Sequence, residues 1–410
     1  MNRFDIAIVG GGMVGASLAV ALKGLDLRVA LIEAVPHDAE TQPSFDERTT
    51  ALSNGSRRTL ETLKVWPEVA PVATPIRKIH VSDQGRFGFA RIDAAEQGLR
   101  ALGFVVPNRS LGAALWSQLS ERPDLRVFCP ARVSRIEVAE DAIELNVMQE
   151  GRDPIALEAS LVVAADGAGS AVRTAFGIEA DVRDYEQTAV ITTVLPRNFH
   201  DHVAYERFTE AGPLALLPLS DGRCTLVLTL KRALADAAMA WSDEEFLAEL
   251  QRRFGFRLGR FLKVGRRAAY PLSLTRALKT SAGRCIIVGN AAQGLHPVAG
   301  MGFNLGLRDV ASLAELAAEH RGDIGGAAFC AAYDAWRNAD RTEIIAFTDG
   351  LVRVFSNPWG PVKRLRNLAL LAFDLLPPAK AALSSLSSGA AGRIPKLARG
   401  VALRSLRGPS

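Results

Sequence analysis

Short apolar runs and helical patterns alternate at both ends of the chain, whereas strict alternation of apolar and polar positions dominates its middle. Residues 4–32 predict a strand, a helix and a second strand, which together form a βαβ unit. Alternating positions over 187–231 predict strands of a separate sheet. Further along, a short apolar strand over 285–288 precedes a long predicted helix over 303–319.

This order predicts an α/β protein in which a mainly β substrate domain is inserted into a discontinuous nucleotide-binding domain. Within the inserted part, Ser242 and Glu245 form a capping-box pattern that predicts the start of a helix. The predicted boundaries are 1–75, 99–176 and 271–355 for the nucleotide-binding domain, 76–98 and 177–270 for the substrate domain, and 356–410 for a basic helical C-terminal region.

The 410 residues are 48% hydrophobic and carry a net charge of +5, which is typical of a folded chain with more than one domain. The four cysteines are far apart and form no Cys/His cluster, so we expect neither a metal site nor a disulfide scaffold. We find no secretory leader, and no apolar run reaches the roughly 20 residues of a membrane span. These features predict a cytoplasmic protein.

The basic charge is concentrated near the C-terminus, because residues 356–410 contain nine Lys or Arg and one acidic residue. The rest of the chain is slightly acidic, so nucleic acid is not an expected partner. A helix over 390–410 would separate an apolar face from a basic one and could lie on the inner face of an anionic membrane. A solvated tail and a tail that docks on partner proteins are the alternatives. The apolar face would contain Ile394, Leu397, Ala398, Val401 and Ala402, and the basic face Arg393, Lys396, Arg399, Arg404 and Arg407.

A glycine-rich turn follows the first predicted strand. Gly10, Gly12 and Gly15 have the GxGxxG spacing that allows a tight turn, close approach of a pyrophosphate and close packing of helix on strand. The pyrophosphate would bind at the helix N-terminus, where N–H groups are free. Glu33, at the end of the second strand, can accept hydrogen bonds from ribose hydroxyls. The pattern predicts a bound dinucleotide without deciding between NAD and FAD.

Two later motifs favour FAD, because so extended a cofactor needs contacts beyond the first βαβ unit. Asp166-Gly167 ends one apolar strand, and the glycine-rich run 289–306 joins another to the long predicted helix. Free amides at the start of that helix would stabilise the negative charge of a reduced flavin. The same run is also compatible with a loop that only leads into a core helix. The amides are those of Gly302, Phe303 and Asn304.

In this order, the three motifs resemble those of the flavoprotein aromatic hydroxylases, the group A flavin monooxygenases. This resemblance covers roughly residues 4–350 and implies a Rossmann-like FAD-binding domain with an inserted β domain, the para-hydroxybenzoate hydroxylase fold. The segments 45–53 and 289–304 are similar to the ubiquinone-biosynthesis hydroxylases, in particular to the 2-polyprenyl-6-methoxyphenol hydroxylase branch. Asn290 and Gln293 depart from the Asp and His of most relatives.

The resemblance assigns cofactor contacts to all three motifs and to two arginines, whose charge suits a phosphate. His296 and Pro297 would lie beside the isoalloxazine, where His296 either moves a proton or is purely structural. The arginines could instead form surface ion pairs, and Asp166 could cap a helix. The expected FAD-binding residues are Gly10, Gly12, Gly15, Glu33, Arg48, Arg109, Asp166, Gly167, Gly289, Asn290, Gly300, Gly302, Phe303 and Asn304.

The resemblance also implies an enzyme that hydroxylates the ring of a polyprenyl-phenol in ubiquinone biosynthesis, with NAD(P)H as transient co-substrate and O2 as oxygen source. The basic tail would then associate with other proteins of that pathway. Two alternatives are a sibling hydroxylase that acts on another ring carbon and a non-catalytic flavoprotein scaffold. A flavin halogenase is disfavoured, because the five Trp are isolated and the Trp-x-Trp-x-Ile motif is absent.

Overall fold

The architecture comes from a computed structural model, which describes residues 2–86, 88–120, 122–296, 300–320, 322–356 and 393–404. In chain order its strands are β1 (Asn2–Val9), β2 (Val29–Ile32), β3 (Thr49–Ser53), β4 (Thr74–Ile76), β5 (Lys78–Asp83), β6 (Phe89–Asp93), β7 (Gly103–Pro107), β8 (Leu125–Phe128), β9 (Arg132–Val138), β10 (Ile143–Met148), β11 (Ile155–Ala164), β12 (Ala180–Pro196), β13 (Val203–Thr209), β14 (Gly212–Pro218), β15 (Cys224–Lys231), β16 (Phe261–Val264), β17 (Ala268–Ala277), β18 (Ser281–Ala282), β19 (Cys285–Ile287) and β20 (Gln293–Gly294). Its α-helices are α1 (Met13–Ala21), α2 (Asn54–Thr62), α3 (Trp66–Val69), α4 (Asn108–Ser117), α5 (Ala171–Ala175), α6 (Arg232–Ala240), α7 (Asp243–Phe254), α8 (Met301–Glu319) and α9 (Ala327–Ser356). Single 3-10 turns lie at Ala70–Val72, Ala95–Gln97, Gly289–Ala291 and Leu397–Arg399.

The first sheet has β1 in its interior, in the order β18-β19-β11-β1-β2-β8, and β10 and β9 extend it from β11. β1 pairs in parallel with both β2 and β11, as a βαβ unit requires. Ile6 and Ile8 of β1 are fully buried and share one core with Leu18 of α1 and Val310 of α8. The predicted βαβ opening is confirmed.

The second sheet contains β12 to β17 of the inserted segment together with β5, β6 and β20. Helices α6 and α7 cover one face of this sheet, where Leu216 and Leu228 pack with Phe246 of α7. The side chain of Glu245 accepts from the N–H of Ser242 at 2.8 Å, and the Ser242 hydroxyl accepts from the N–H of Glu245 at 3.2 Å. The predicted capping box and helix start are therefore confirmed.

A small third sheet, β3-β7-β4, lies between the two larger sheets. Its Thr49 hydroxyl donates to the hydroxyl of Thr225 on β15 at 3.1 Å. Ala51 and Val105 of the small sheet pack in one apolar cluster with Ala204 of β13. Because β20 also pairs with β17, the glycine-rich run that precedes α8 crosses from the first sheet to the second.

The predicted amphipathic helix over 390–410 is wrong in the part that the structure describes, residues 393–404. That part contains a single 3-10 turn and is otherwise irregular. Pro395 and Gly400 explain the difference, because proline interrupts a helix and Gly400 has a left-handed φ of +82°. The stretch between them is too short for a stable α-helix. The rest of the predicted C-terminal helical region, beyond residue 356, lies outside the described residues.

The described tail segment packs on the body of its own chain. Leu397 is 2% exposed and belongs to the core formed by α1 and α8. The ammonium of Lys396 pairs with Glu319 of α8, and Arg393 pairs with Glu315 at 3.2 Å. Two basic residues predicted for a membrane-facing surface are therefore paired with carboxylates of α8.

Candidate cofactor site

The turn after β1 is shaped by backbone contacts that leave no room for side chains. Gly10 has a φ of +102°, and a Cβ there would lie 2.5 Å from the carbonyl oxygen of Ala165. A Cβ at Gly15 would lie 1.8 Å from the carbonyl oxygen of Gly10. Gly12 is the N-cap of α1 and provides no side-chain cap. The first amides of α1 are therefore suited to binding an anion.

Glu33 lies beside this turn, directly after β2. Its carboxylate is 8% exposed and accepts hydrogen bonds from the N–H of Gly11 and, at 2.8 Å, from the N–H of Val35. The indole of Trp116 donates to the Gly11 carbonyl at 3.2 Å and holds the turn from the other side. Because a carboxylate can accept about four hydrogen bonds, Glu33 can also accept a ribose hydroxyl.

The N-terminus of α8 is open in a similar way. Gly300 is its N-cap, with a left-handed φ of +60° and no side-chain cap. The Asn304 amide donates to the carbonyls of Gly300 at 2.7 Å and Ala51 at 2.8 Å. It also accepts from the N–H of Ser53 at 2.8 Å. A Cβ at Gly302 would meet none of the described atoms within 4 Å, while Asn304 fixes the first turn of α8.

Glycines bring the N-termini of α1 and α8 together. Cβ atoms at Gly289 and Gly306 would lie 2.9 Å and 2.8 Å from the Val14 side chain. Only glycine allows α1 to approach α8 this closely. The Phe303 side chain is 9% exposed and packs in the core, so any cofactor contact there comes from its backbone.

A buried network behind the glycine-rich run was missed by the sequence reasoning. Asp309 is fully buried and accepts from the N–H of Gly289 at 3.0 Å and the Gln293 amide at 2.6 Å. Arg337 of α9 donates to the same carboxylate at 2.8 Å. Arg341 donates to the Gln293 oxygen at 2.6 Å. The available signal was the carboxylate next to Val310 in a helix expected to pack in the core, because a buried charge needs a partner.

Asp166 is engaged at the start of α5. It accepts from the Ser170 hydroxyl at 2.5 Å and from the N–H of Val172 at 3.2 Å. These bonds match the alternative in which Asp166 stabilises a helix start. Gly167 has a φ of +89° and faces open space, and Asn290 is exposed. Contacts of these residues with FAD stay a prediction.

The two predicted phosphate-binding arginines are both paired within the chain. Arg48 pairs with Asp46 at 2.7 Å, and its guanidinium lies 4.5 Å from the ring centre of Tyr270. Arg109 pairs with Glu47 at 3.2 Å, and both side chains are exposed. Exposed ion pairs contribute little stability, so a phosphate can replace Glu47 as the partner of Arg109. FAD contact by either arginine stays a prediction.

His296 is enclosed at the end of the glycine-rich run. It is 1% exposed, and burial lowers its pKa from 6.5 to about 4, so the imidazole is neutral at pH 7. Its ring centre lies 5.3 Å from that of Tyr185. A proton role for His296 stays a prediction, and Pro297 lies outside the described residues. In the described ranges, no three acidic, His or Cys side chains are grouped so as to hold a metal ion.

A parallel sheet with a glycine-rich β1–α1 turn, joined by a second open helix N-terminus, defines a dinucleotide-binding protein of the Rossmann type. The chain belongs to the family described as FAD binding domain, whose model matches residues 3–348. The sequence-based prediction of FAD as the cofactor is confirmed by this match.

Several relatives are named as hydroxylases of ubiquinone or its precursors. The ubiquinone hydroxylase UbiL of Rhodospirillum rubrum is 38% identical over 408 residues, which cover 97% of this chain and 93% of that protein. The 3-demethoxyubiquinol 3-hydroxylase of Escherichia coli is 33% identical over 379 residues, which cover 90% of this chain and 94% of that protein. The resemblance to the ubiquinone-biosynthesis hydroxylases is therefore confirmed, while the particular branch stays a prediction.

Solved structures share the fold. The p-nitrophenol 4-monooxygenase PnpA of Pseudomonas putida DLL-E4 superposes with a TM-score of 0.78 over 95% of this chain and 99% of its own, at 19% identity. HpxO of Klebsiella pneumoniae in complex with FAD superposes with a TM-score of 0.74 over 95% of this chain and 100% of its own, at 17% identity. At such low identity the likeness concerns the fold, and the predicted fold class is confirmed.

Proposed function

We propose that the protein is an FAD-dependent monooxygenase that uses NAD(P)H and O2 to hydroxylate the aromatic ring of a polyprenyl-phenol in ubiquinone biosynthesis. The observation that carries this proposal is the 38% identity with a ubiquinone hydroxylase across 97% of the chain.

The residues at the two helix N-termini fit FAD. Because α1 has no side-chain cap, its first amides can bind the pyrophosphate beside Gly12. Glu33 is positioned next to this turn to accept ribose hydroxyls. The open space at Gly302 leaves room for the flavin ring beside the amides of α8. One extended cofactor would therefore connect the two sites.

When bound, FAD would accept a hydride from NAD(P)H and activate O2 for transfer of one oxygen atom to the ring. The chain itself binds and orients FAD and the substrate, and it excludes water from the site. The α8 amides direct partial positive charge at the ring position. The second sheet, which the Thr49–Thr225 hydrogen bond of 3.1 Å joins to β3, would cover that position and keep water from the substrate.

Incubation of the purified protein with NAD(P)H, O2 and a series of polyprenyl-phenols tests the proposal. We expect a product whose mass increases by one oxygen atom, with NAD(P)H consumed in step. NMR of the product would assign the ring carbon and so separate the sibling hydroxylases. Oxidation of NAD(P)H that stays slow with every phenol, with no product, would contradict the proposal and favour the scaffold alternative.

Contact with a membrane, or with other ubiquinone-biosynthesis proteins, stays a prediction. None of the helices in the described ranges is both long and apolar enough to cross a bilayer. Arg393 and Lys396 are paired on α8, whereas Arg399 and Arg404 are exposed. Flotation with anionic vesicles tests this contact, and an R399E/R404E variant that floats like the wild type would argue against a role of these two arginines.

A further inference from the structure

The second sheet has two faces of different character. On the face covered by α6 and α7, residues such as Leu214 and Leu216 are fully buried. The opposite face looks toward the nucleotide-binding side, where Tyr270 donates to Asp46 at 2.9 Å. We call this opposite face the inner face, and several of its residues are only half-buried. It includes Ile191, Glu206, Ala215, Leu217 and Val227.

Glu206 is an acidic residue in apolar surroundings on the inner face. It lies on β13, between β14 and β5, so it is not at an edge of the sheet. Its register partners are Ala215 on β14 and Val81 on β5. Two residues away on the same face of β13 lie Ala204 and Phe208, which are both buried. The Glu206 side chain is therefore half-buried among mainly apolar neighbours.

The inner face around Glu206 adjoins the residues that support the N-terminus of α8. Ala204, the next residue of β13 on the inner face, packs in a cluster with Ala51 of β3. Ala51 in turn accepts a hydrogen bond from Asn304 at 2.8 Å, and a Cβ at Gly300 would lie 3.1 Å from its own Cβ. Glu206 therefore lies two residues along β13 from Ala204, which packs on the strand that supports the proposed flavin site.

The Glu206 carboxyl retains unused hydrogen-bonding capacity. In the part of the chain that the structure describes, it forms no hydrogen bond and no ion pair. Burial raises its pKa to about 8, because the apolar surroundings disfavour the charged form. A buried carboxyl without a partner destabilises the fold. Polar groups of this kind in an apolar cleft are typical of ligand-binding sites.

We propose that Glu206 binds the phenolic hydroxyl of the ring substrate, an inference that rests on the proposed function. The hydroxyl donates to a carboxyl oxygen, while the ring and its prenyl chain contact the apolar residues of the inner face. This hydrogen bond orients the ring and increases its electron density at the carbons ortho and para to the hydroxyl. It also selects against ring compounds that cannot donate there, because the carboxyl would then stay unpaired.

Ligand pairs that differ only in the hydroxyl test this inference. The probes are 2-prenylphenol and its methyl ether, titrated calorimetrically into the FAD-loaded protein without NAD(P)H. At about pH 9 the carboxyl is ionised while the phenol, like tyrosine, is largely not. We expect the wild type to bind the phenol about tenfold more tightly than the ether. Glu206→Leu should abolish this preference and retain affinity for the ether.

Two further variants complete the design. Glu206→Gln preserves the shape but removes the charge, and we expect the preference to fall several-fold even if the Leu variant does not fold. Glu244→Gln, an exposed change on α7 beyond the other face, should behave like the wild type.

The outcomes separate the inference from the proposed function. A wild type that hydroxylates phenols, with Glu206 variants that retain its full preference for the hydroxyl, would overturn the inference alone. A wild type that binds neither probe and hydroxylates no phenol would overturn both.

Discussion

The N-termini of α1 and α8 would both bind FAD through free backbone amides, but different interactions hold the two helix ends in place. At α1 the restraint is steric, because Gly10 and Gly15 contact backbone atoms that no side chain can approach. At α8 the restraint comes from hydrogen bonds of buried side chains, with Asp309 and Gln293 at the centre of the network. The shape of the first site is therefore fixed by the single turn between β1 and α1. The shape of the second site depends on the packing of α8, α9 and β20 together.

This difference accounts for where the sequence departs from its family. We call the surroundings of the α1 N-terminus the first region and those of the α8 N-terminus the second region. Asn290 and Gln293 both belong to the second region. Asn290 is exposed, and Gln293 is satisfied on both sides by Asp309 and Arg341. A network of hydrogen-bonded side chains can accept a substitution when another side chain supplies the lost hydrogen bond, whereas a steric contact with the backbone cannot be relieved in this way. Substitutions in the first region should therefore cause either no loss or a very large loss of stability. Those in the second region should cause losses of intermediate size.

The largest effect is expected for Gly15→Val. Its Cβ would lie 1.8 Å from the Gly10 carbonyl oxygen, which is a backbone atom and cannot move aside as a flexible side chain could. We expect a loss of more than about 4 kcal/mol in the free energy of unfolding, or no soluble protein. Gly350→Ala, inside α9, where a Cβ would meet none of the described atoms within 4 Å, is the control and should not lower the free energy of unfolding in urea. A Gly15→Val protein of normal stability would refute the steric account.

A smaller but still large effect is expected for Asp309→Asn. The change removes the charge that pairs with Arg337 at 2.8 Å, which leaves Asp340 as the carboxylate partner of this buried guanidinium, and it weakens the bond to Gly289. We expect a loss of about 3 kcal/mol by urea denaturation, together with weaker FAD binding. Ser312→Ala, a buried polar-to-apolar change on the same helix, should be nearly neutral. Equal losses in the two variants would mean that the network has no special role.

Acid should weaken the second region through His296. The pKa of His296 is about 4 in the folded chain, below its ordinary value of 6.5, because burial disfavours the charged ring. Between these values the unfolded chain binds a proton that the folded chain does not. The free energy of unfolding should therefore fall by up to about 1.4 kcal/mol per pH unit as the pH decreases from 6.5 toward 4. His296→Gln should reduce this slope, measured by urea denaturation between pH 7 and 5, and an unchanged slope would contradict the assignment.

Local signals in the sequence predicted the first region well. The turn at Gly10–Gly15 and the carboxylate at Glu33 lie within one βαβ unit, so spacing alone indicates their arrangement. The α7 capping box was likewise predictable from residues three apart. The inserted sheet was predictable as a set of strands, but its pairing of β20 with β17 was not, because that contact joins distant segments.

The second region and the tail show what local signals miss. Asp309, Gln293 and Arg341 meet only because α9 packs against α8, so no short motif contains them. Glu206 was missed for the same reason, since its surroundings come from three strands. The helix predicted over 390–410 failed because periodicity was counted while Pro395 and Gly400 were not.

The account depends most directly on one flavin that spans both helix N-termini, and the FAD content of Gly302→Leu tests it. A Cβ at Gly302 would meet none of the described atoms within 4 Å, so the substitution should preserve the fold and the melting temperature of the FAD-free protein, while the added side chain fills the ring position. We predict that the variant is purified folded but almost without FAD, measured from its visible absorbance, and that Gly302→Ala retains a larger share. A folded Gly302→Leu protein with the wild-type FAD content would contradict the account.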